Sequence, residues 1–78
     1  MKTILLTGAS GRIGRCVRYA LRDDYRMILF NRSRIEDLGP TETLIQGDTT
    51  DGSAVERAAQ GAAAIVDMAG VSDVAPFR

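Results

Sequence analysis

Residues 5 to 15 read LLTGASGRIGR and place three glycines, Gly8, Gly11 and Gly14, between an apolar run and a segment of helical period. Where a strand turns directly into a helix, the first N–H groups of the helix carry partial positive charge and attract anions such as phosphate. Gly8 would permit the tight turn, Gly11 the close approach of a phosphate, and Gly14 the packing of the helix on the sheet. In this context the spacing predicts a nucleotide or dinucleotide phosphate site, with a purely structural turn as the alternative.

The composition is that of a small soluble protein. A chain of 78 residues forms one domain or part of one, and it buries only about 60% of its unfolded surface. Its apolar runs are far shorter than the roughly 20 residues of a membrane-spanning helix, and Gly8 interrupts the first run too early for a secretory signal. We therefore expect a cytoplasmic chain with no membrane partner. The single Cys16 and the lack of histidine exclude an internal disulfide and a plausible metal cluster.

Four short apolar runs alternate with two amphipathic stretches. The runs, which we predict to be buried parallel strands, are TILLT (3–7), MILF (27–30), TLIQ (43–46) and AAIVDM (63–68). The order strand, helix, strand, loop, strand, helix, strand predicts an α/β fold built from right-handed crossovers.

The two helices are predicted from apolar stripes of helical period. The stripe of the first helix comprises Ile13, Cys16, Val17, Ala20 and Leu21. The stripe of the second helix comprises Val55, Ala58, Ala59 and Ala62. Asp51, or Ser53 in a capping box with Glu56, is the expected N-cap of the second helix. Gly61 is expected to end it.

Four arginines lie roughly opposite the apolar stripe of the first helix. They are Arg12, Arg15, Arg18 and Arg22. Such a ridge could follow the phosphates of a nucleic acid, but no aromatic residues lie between the arginines for stacking on bases, and the chain has no net charge. We therefore interpret the ridge as a solvated face, offset by Asp23 and Asp24, and expect no nucleic-acid partner.

Three motifs resemble, in the same order along the chain, those of one protein family. They are TGASGRIG (7–14), GDTTD (47–51) and GAAAIVDMAGVS (61–72). They resemble the extended short-chain dehydrogenase/reductase family, the NAD(P)-dependent epimerases and dehydratases, over nearly the whole chain. The first motif has the spacing G-x-x-G-x-x-G and not the G-x-G-x-x-G of most dehydrogenases. Within the family, GRIGR (11–15) and AGVSDVAPF (69–77) look most like uronate dehydrogenases.

The resemblance implies a Rossmann-like parallel sheet with strand order 3-2-1-4 and helices on both faces. Residues 1–78 would form an incomplete, dinucleotide-binding half-domain, with the substrate region downstream. The residues that it places at the cofactor are Gly8, Ser10, Gly11, Arg12, Ile13, Gly14, Asn31, Arg32, Asp48, Thr49, Ala69 and Gly70. Of these, Asp48 would contact the adenine, and Ala69 and Gly70 would border the ribose and pyrophosphate. Ser72 would touch a sugar acid.

The residue at the end of the second strand bears on the choice of cofactor. NAD-preferring members have a carboxylate there that binds both ribose hydroxyls, whereas this chain has Asn31, followed by Arg32 and then Arg34. Because arginine pairs with phosphate and a carboxylate would repel it, NADP is favoured over NAD. Alternatively, both arginines are solvated loop residues. Asp67, where relatives often have histidine, must face the cleft or solvent, or find a partner.

The chain lacks the catalytic pair of the family that it resembles. Members use Tyr-x-x-x-Lys, in which the lysine lowers the pKa of the tyrosine so that it exchanges a proton with the substrate. The only lysine here is Lys2, and neither Tyr19 nor Tyr25 has a lysine four residues later. We expect no catalytic residue in this chain and no turnover from it alone.

Three hypotheses of function follow from different classes. The chain is the cofactor-binding half of a dehydrogenase or epimerase acting on a sugar or sugar acid, a non-catalytic NADP-binding module or sensor, or an inactive fragment. A half-built sheet would expose the edge of the fourth strand, so we also expect a partner, either the missing half or a second copy.

Overall fold

The described part of the chain is one parallel sheet flanked by helices. The computed structural model describes residues 1–68. Its elements are β1 (Thr3–Thr7), α1 (Arg12–Leu21), β2 (Arg26–Asn31), β3 (Glu42–Gln46), α2 (Gly52–Ala59) and β4 (Ala64–Asp67). The strands lie in the order β3-β2-β1-β4, and all neighbours are parallel. The predicted Rossmann-like α/β fold is therefore confirmed, with strand ends at most one residue from those expected.

Two apolar cores lie on opposite faces of the sheet, because successive side chains of a strand point to opposite sides. Ile4 and Leu6 of β1 belong to the core beneath α1, and Leu5 belongs to the core beneath α2. The first core also contains Met27, Leu29 and Ile35, and the second contains Phe30 and Ala58. The central strands β1 and β2 are thus buried on both faces, which is why they read as nearly continuous apolar runs.

The face that α1 presents to the sheet differs from the predicted stripe. Val17 and Leu21 pack against the core as expected, but the buried residues of the helix are Gly14 and Arg18. The prediction is wrong for three residues that are exposed, Ile13, Cys16 and Ala20. Gly14 lies directly against the turn after β1, and residues three, four and seven positions later share its side of the helix. The contact at Gly14 therefore sets the rotation of α1.

Helix α2 begins at Gly52 and is capped by Asp51. The Asp51 carboxylate accepts a hydrogen bond from the Ala54 N–H at 3.2 Å. The alternative capping box at Ser53 is wrong, because the helix has already begun when the chain reaches that residue. The predicted apolar stripe is confirmed, since Ala58 is buried and its neighbours on the stripe pack on the same core. Gly61 follows the helix with a positive φ of 81°.

The sheet ends at β4 on one side and at β3 on the other. In β4, Ile65 is 55% exposed, and within residues 1–68 no strand pairs with the outer edge of β4. Neither helix of this part of the chain has the length and hydropathy needed to cross a lipid bilayer.

Candidate cofactor-binding site

The turn between β1 and α1 begins at Gly8, whose φ is 66°. This left-handed conformation strains residues that carry a Cβ, so glycine is the residue that the turn favours. The Gly8 N–H donates to the Phe30 carbonyl at 3.1 Å, and the Gly8 carbonyl accepts from the Gly11 N–H at 3.3 Å. The chain therefore reverses from strand to helix within a few residues, at the carboxyl end of β1.

Gly14 lets α1 approach this turn closely. A Cβ on Gly14 would lie 2.1 Å from the Gly8 carbonyl oxygen and 3.2 Å from the Ala9 Cα. Both atoms belong to the backbone and cannot move aside without displacing the strand or the helix. The predicted packing role of Gly14 is thus present in the structure, and it is independent of any ligand.

Gly11 is different, because nothing in the described part of the protein requires glycine there. Its φ is −69° and its ψ is 165°, which any residue adopts. A Cβ on Gly11 would lie 3.6 Å from the Gly8 carbonyl oxygen, an ordinary contact, and the residue is exposed. Gly11 is also the N-cap of α1, and among the described residues no side chain caps this end of the helix. The N-terminus of α1, which carries partial positive charge, therefore lies beside an exposed residue that has no side chain.

A cavity of about 290 Å³ opens at the carboxyl ends of the strands. Five of the predicted site residues line it: Gly8, Ser10, Asn31, Arg32 and Thr49. They lie at the end of β2 or in the turns after β1, β2 and β3, which the parallel sheet brings to the same edge. Ligands of open α/β sheets bind outside this edge of the strands.

A family model described as NAD(P)H-binding matches residues 8–75, most of the chain. The chain belongs to this NAD(P)H-binding family. It is therefore a nucleotide-binding module, and its ligand is a nicotinamide dinucleotide. Comparison with curated proteins gives no match.

In this NAD(P)H-binding domain, Asn31 forms the wall between the first two turns. It is 5% exposed, its Oδ1 accepts from the Ser10 hydroxyl at 3.3 Å, and its Nδ2 donates to the Ser33 carbonyl at 2.9 Å. Both polar atoms of the side chain are thus engaged within the protein. Asn31 contributes shape and an uncharged surface to the cavity, while the charge comes from its neighbour Arg32.

Several other predicted site residues do not line this cavity. Asp48 lies in the exposed loop after β3, where its carboxylate accepts from the Thr50 N–H at 3.0 Å, and that hydrogen bond lowers the pKa of the carboxyl group. Its neighbour Thr49 reaches the cavity. Arg12 and Ile13 are exposed in the first turn of α1. Three further residues, Ala69, Gly70 and Ser72, lie outside the described residues.

A second cavity, of about 420 Å³, shares Ser10 with the first. Arg15 and Arg34 line it, together with Glu36 and Asp37. In the sequence, Arg34 together with Arg32 favours NADP, but Arg34 is not among the predicted site residues, and Arg15 is not connected there with the cofactor. Arg15 could not be recognised in advance, since its approach to the loop after β2 depends on how α1 is rotated.

Asp67 finds a partner at the junction of β1 and β4. The Thr7 hydroxyl donates to the Asp67 carboxylate, and the same hydroxyl accepts from the Met68 N–H at 3.1 Å. Asp67 is also exposed, so two of the alternatives open from the sequence, solvent and a partner, are both observed. The pair lies at the carboxyl ends of β1 and β4, where the direction of strand succession reverses and dinucleotides cross the sheet.

Arg18 is buried, so the prediction that it belongs to a solvated arginine face is wrong. Its side chain is 2% exposed, and its Nε donates to the Glu42 carboxylate at 2.5 Å. The hydrogen bond that Arg18 donates to Glu42 raises the pKa of its guanidinium above the ordinary value. Burial raises the pKa of Glu42, but hydrogen bonds from Arg18 and the Gly39 N–H outweigh this effect and hold it below its usual range. The two side chains therefore stay charged as a buried pair.

Proposed function

We propose that this chain is the NADP(H)-binding part of a dehydrogenase or epimerase of the extended short-chain type, acting on a sugar or sugar acid. The observation that carries the proposal is Gly11. Within residues 1–68, packing does not demand glycine at that position, and no side-chain hydrogen bond caps this end of α1. A phosphate that approaches the backbone explains the glycine.

The cofactor would lie across the carboxyl edge of the sheet. Its diphosphate would bind the backbone N–H groups of the first turn of α1, at Arg12 and Ile13. Its adenosine would occupy the cavity beside Ser10, with Thr49 on the far wall and Asp48 toward the adenine. The nicotinamide half would extend past β4 toward Ala69 and Gly70. The nicotinamide supplies a hydride acceptor or donor when the cofactor is bound, and the residues described here hold and orient it.

The charges around Ser10 favour the phosphorylated cofactor. Asn31 replaces the carboxylate that would bind the ribose hydroxyls and repel a 2′-phosphate. Ser10 lines both cavities; Arg32 lines one of them, and Arg15 and Arg34 line the other together with Glu36 and Asp37. Arginine binds phosphate in a bidentate, charge-assisted manner. We therefore propose that NADP(H) is preferred over NAD(H).

The chemistry would need residues beyond this half-domain of residues 1–78. The family's Tyr-x-x-x-Lys pair is missing from the sequence, so we propose that the proton-transfer groups and the sugar-binding region belong to a further segment. Ser72 would touch a uronate substrate if the likeness to uronate dehydrogenases extends to the substrate. The missing pair also favours a second candidate, a non-catalytic NADP(H)-binding module or sensor.

Binding calorimetry with NADPH and NADH at low ionic strength tests the proposal. We expect NADPH to bind about tenfold more tightly than NADH, a difference of about 1.4 kcal/mol. Gly11→Val should abolish binding of both nucleotides, because its side chain would occupy the path of the diphosphate. Arg32→Asp should reverse the preference. Arg26→Asp, the same charge change at the opposite end of β2, is the matched control and should leave the preference unchanged.

Two results would contradict this reasoning at different points. If NADH binds at least as tightly as NADPH, the argument from Asn31 and Arg32 fails. If Gly11→Val binds both nucleotides as well as the unaltered chain does, the diphosphate does not lie on the first turn of α1.

A further inference from the structure

The loop between β2 and β3, residues 32–41, has no helix or strand of its own but carries two of the arginines at the cofactor cavities. It begins beside Asn31, whose side chain binds the Ser33 carbonyl. It ends where the Thr41 hydroxyl donates to the Arg22 carbonyl at 2.6 Å. Between these points, Ile35 is buried in the core beneath α1. A loop of this length needs further contacts to hold Arg32 and Arg34 in one arrangement, since ordering each residue costs about 1–2 kcal/mol.

Arg18 supplies the central contact of this loop. Its Nη2 donates to the Asp37 carbonyl at 2.8 Å and its Nη1 donates to the Asp37 carboxylate at 3.1 Å. Its Nε and Nη2 together bind the Glu42 carboxylate at 2.5 and 2.8 Å. Glu42 also accepts from the Gly39 N–H at 2.8 Å. The Arg18 guanidinium thus holds the middle of the loop directly, through Asp37. It holds the end of the loop indirectly, through Glu42, the first residue of β3.

A buried ion pair is a costly way to stabilise a helix on a sheet. Arg18 lies on the same side of α1 as Val17 and Leu21, where an apolar side chain would pack without any desolvation penalty. Replacing buried ion pairs by apolar residues of similar volume is often neutral or stabilising. What an apolar residue cannot do is donate to a backbone carbonyl and two carboxylates in fixed directions, as the planar guanidinium does here. The fixed directions of these hydrogen bonds hold the loop in one position relative to α1.

We infer that Arg18 is a positioning residue for cofactor selection, which holds the 32–41 loop so that Arg32 and Arg34 keep their places in the walls of the two cavities that Ser10 lines. The inference rests on the proposed function, since it assigns the held arginines to the 2′-phosphate. Freeing the loop should weaken NADPH binding far more than NADH binding. The diphosphate would bind on the turn after β1 and the first turn of α1. Arg18 lines the larger cavity beside this turn, but its side-chain hydrogen bonds go to Asp37 and Glu42 and not to the turn or to the first turn of the helix.

The test distinguishes an effect of Arg18 on the position of the loop from an effect on the stability of the fold. Arg18→Met alone leaves Glu42 buried without its partner and should lower the urea midpoint of unfolding. Arg18→Met combined with Glu42→Leu leaves no buried charge, so the midpoint should recover much of that loss. Both variants should lose about tenfold in the ratio of NADPH to NADH affinity. The control is Arg22→Met at the C-cap of the same helix. The Arg22 side chain approaches Glu42 only at 3.6 Å, so this variant should leave the ratio unchanged.

Trypsin provides a second readout that needs no nucleotide. It cleaves after Arg32 and Arg34 in the loop and after Arg57 in α2, all three of which are exposed. In the double variant we expect cleavage in the loop to accelerate several-fold relative to cleavage at Arg57. Equal acceleration at all three sites, or a double variant that keeps the full NADPH preference, would show that Arg18 is only a structural residue and would overturn the inference.

A failure of the proposed function can be distinguished from a failure of the inference about Arg18. If the unaltered chain binds neither nucleotide, both the proposed function and the selecting role of Arg18 are refuted. The trypsin rates would still report whether Arg18 holds the loop.

Discussion

Replacing Gly14 by alanine should destabilise the fold, although alanine is the better helix former. The added Cβ would lie 2.1 Å from the Gly8 carbonyl oxygen, far inside the 3.0 Å below which such contacts are essentially never found. The same Cβ would also lie 3.0 Å from the Gly8 carbonyl carbon and 3.2 Å from the Ala9 Cα. All three atoms are backbone, so α1 must move away from the turn and from the core that Val17 and Leu21 cover.

Two opposing terms set the size of the effect. Exchanging glycine for alanine inside a helix favours folding by about 1 kcal/mol. Overpacking typically costs about 1–3 kcal/mol and occasionally more, and a contact this short with rigid backbone belongs at the upper end of that range. We expect a net loss of about 2 kcal/mol, equivalent to a fall of about 8–16 °C in Tm for a chain of this size.

Urea unfolding followed by circular dichroism measures this loss. Gly11→Ala is the matched control, because its Cβ would meet the Gly8 carbonyl oxygen at an ordinary 3.6 Å. It loses at most about 1 kcal/mol, the cost of a poorer N-cap. If Gly14→Ala is as stable as the unaltered chain or more stable, helix propensity has prevailed and the argument from close packing is refuted.

Three further predictions concern charge, capping and association. Hydrogen bonds hold the pKa of Glu42 and of Asp37 below their ordinary values. The stability that these carboxylates contribute is therefore present above their ordinary pKa values of about 4, and it is lost as the pH falls from there through the lowered pKa values. Urea midpoints measured from neutral to acid pH should show the loss, and Arg18→Met should weaken this dependence. Asp51→Ala should lower the free energy of unfolding by about 1 kcal/mol through loss of the N-cap of α2, whereas an equal loss for Ser53→Ala would contradict the observed cap. No strand within residues 1–68 pairs with the outer edge of β4, so we expect the chain to self-associate at micromolar concentration. Sedimentation velocity should detect the association, and Ile65→Lys should reduce it. If both the unaltered chain and the variant sediment as folded monomers, the expectation is refuted.

Local patterns along the chain were sufficient to predict most of the fold. The two central strands, β1 and β2, are short apolar runs because a parallel sheet buries both of their faces. The prediction that the other two strands are buried is wrong, because β3 and β4 lie at the edges of the described sheet and are mostly exposed. The turn after β1 follows from Gly8 and the spacing of the glycines that come after it. Five predicted site residues come together at one cavity because they follow strand ends, and the carboxyl ends of parallel strands lie at the same edge.

The sequence by itself therefore determined the elements and their order along the chain, which depend on contacts within a few residues. Only the tertiary structure decided that Arg18 is buried, because its partner Glu42 is 24 positions away and reaches it only after β3 has joined the sheet. The same holds for Thr7 and Asp67, which are 60 positions apart and meet where β4 pairs with β1. Helical period locates an amphipathic helix, but its rotation is set by the closest contact, and here that contact is between Gly14 and the backbone of Gly8.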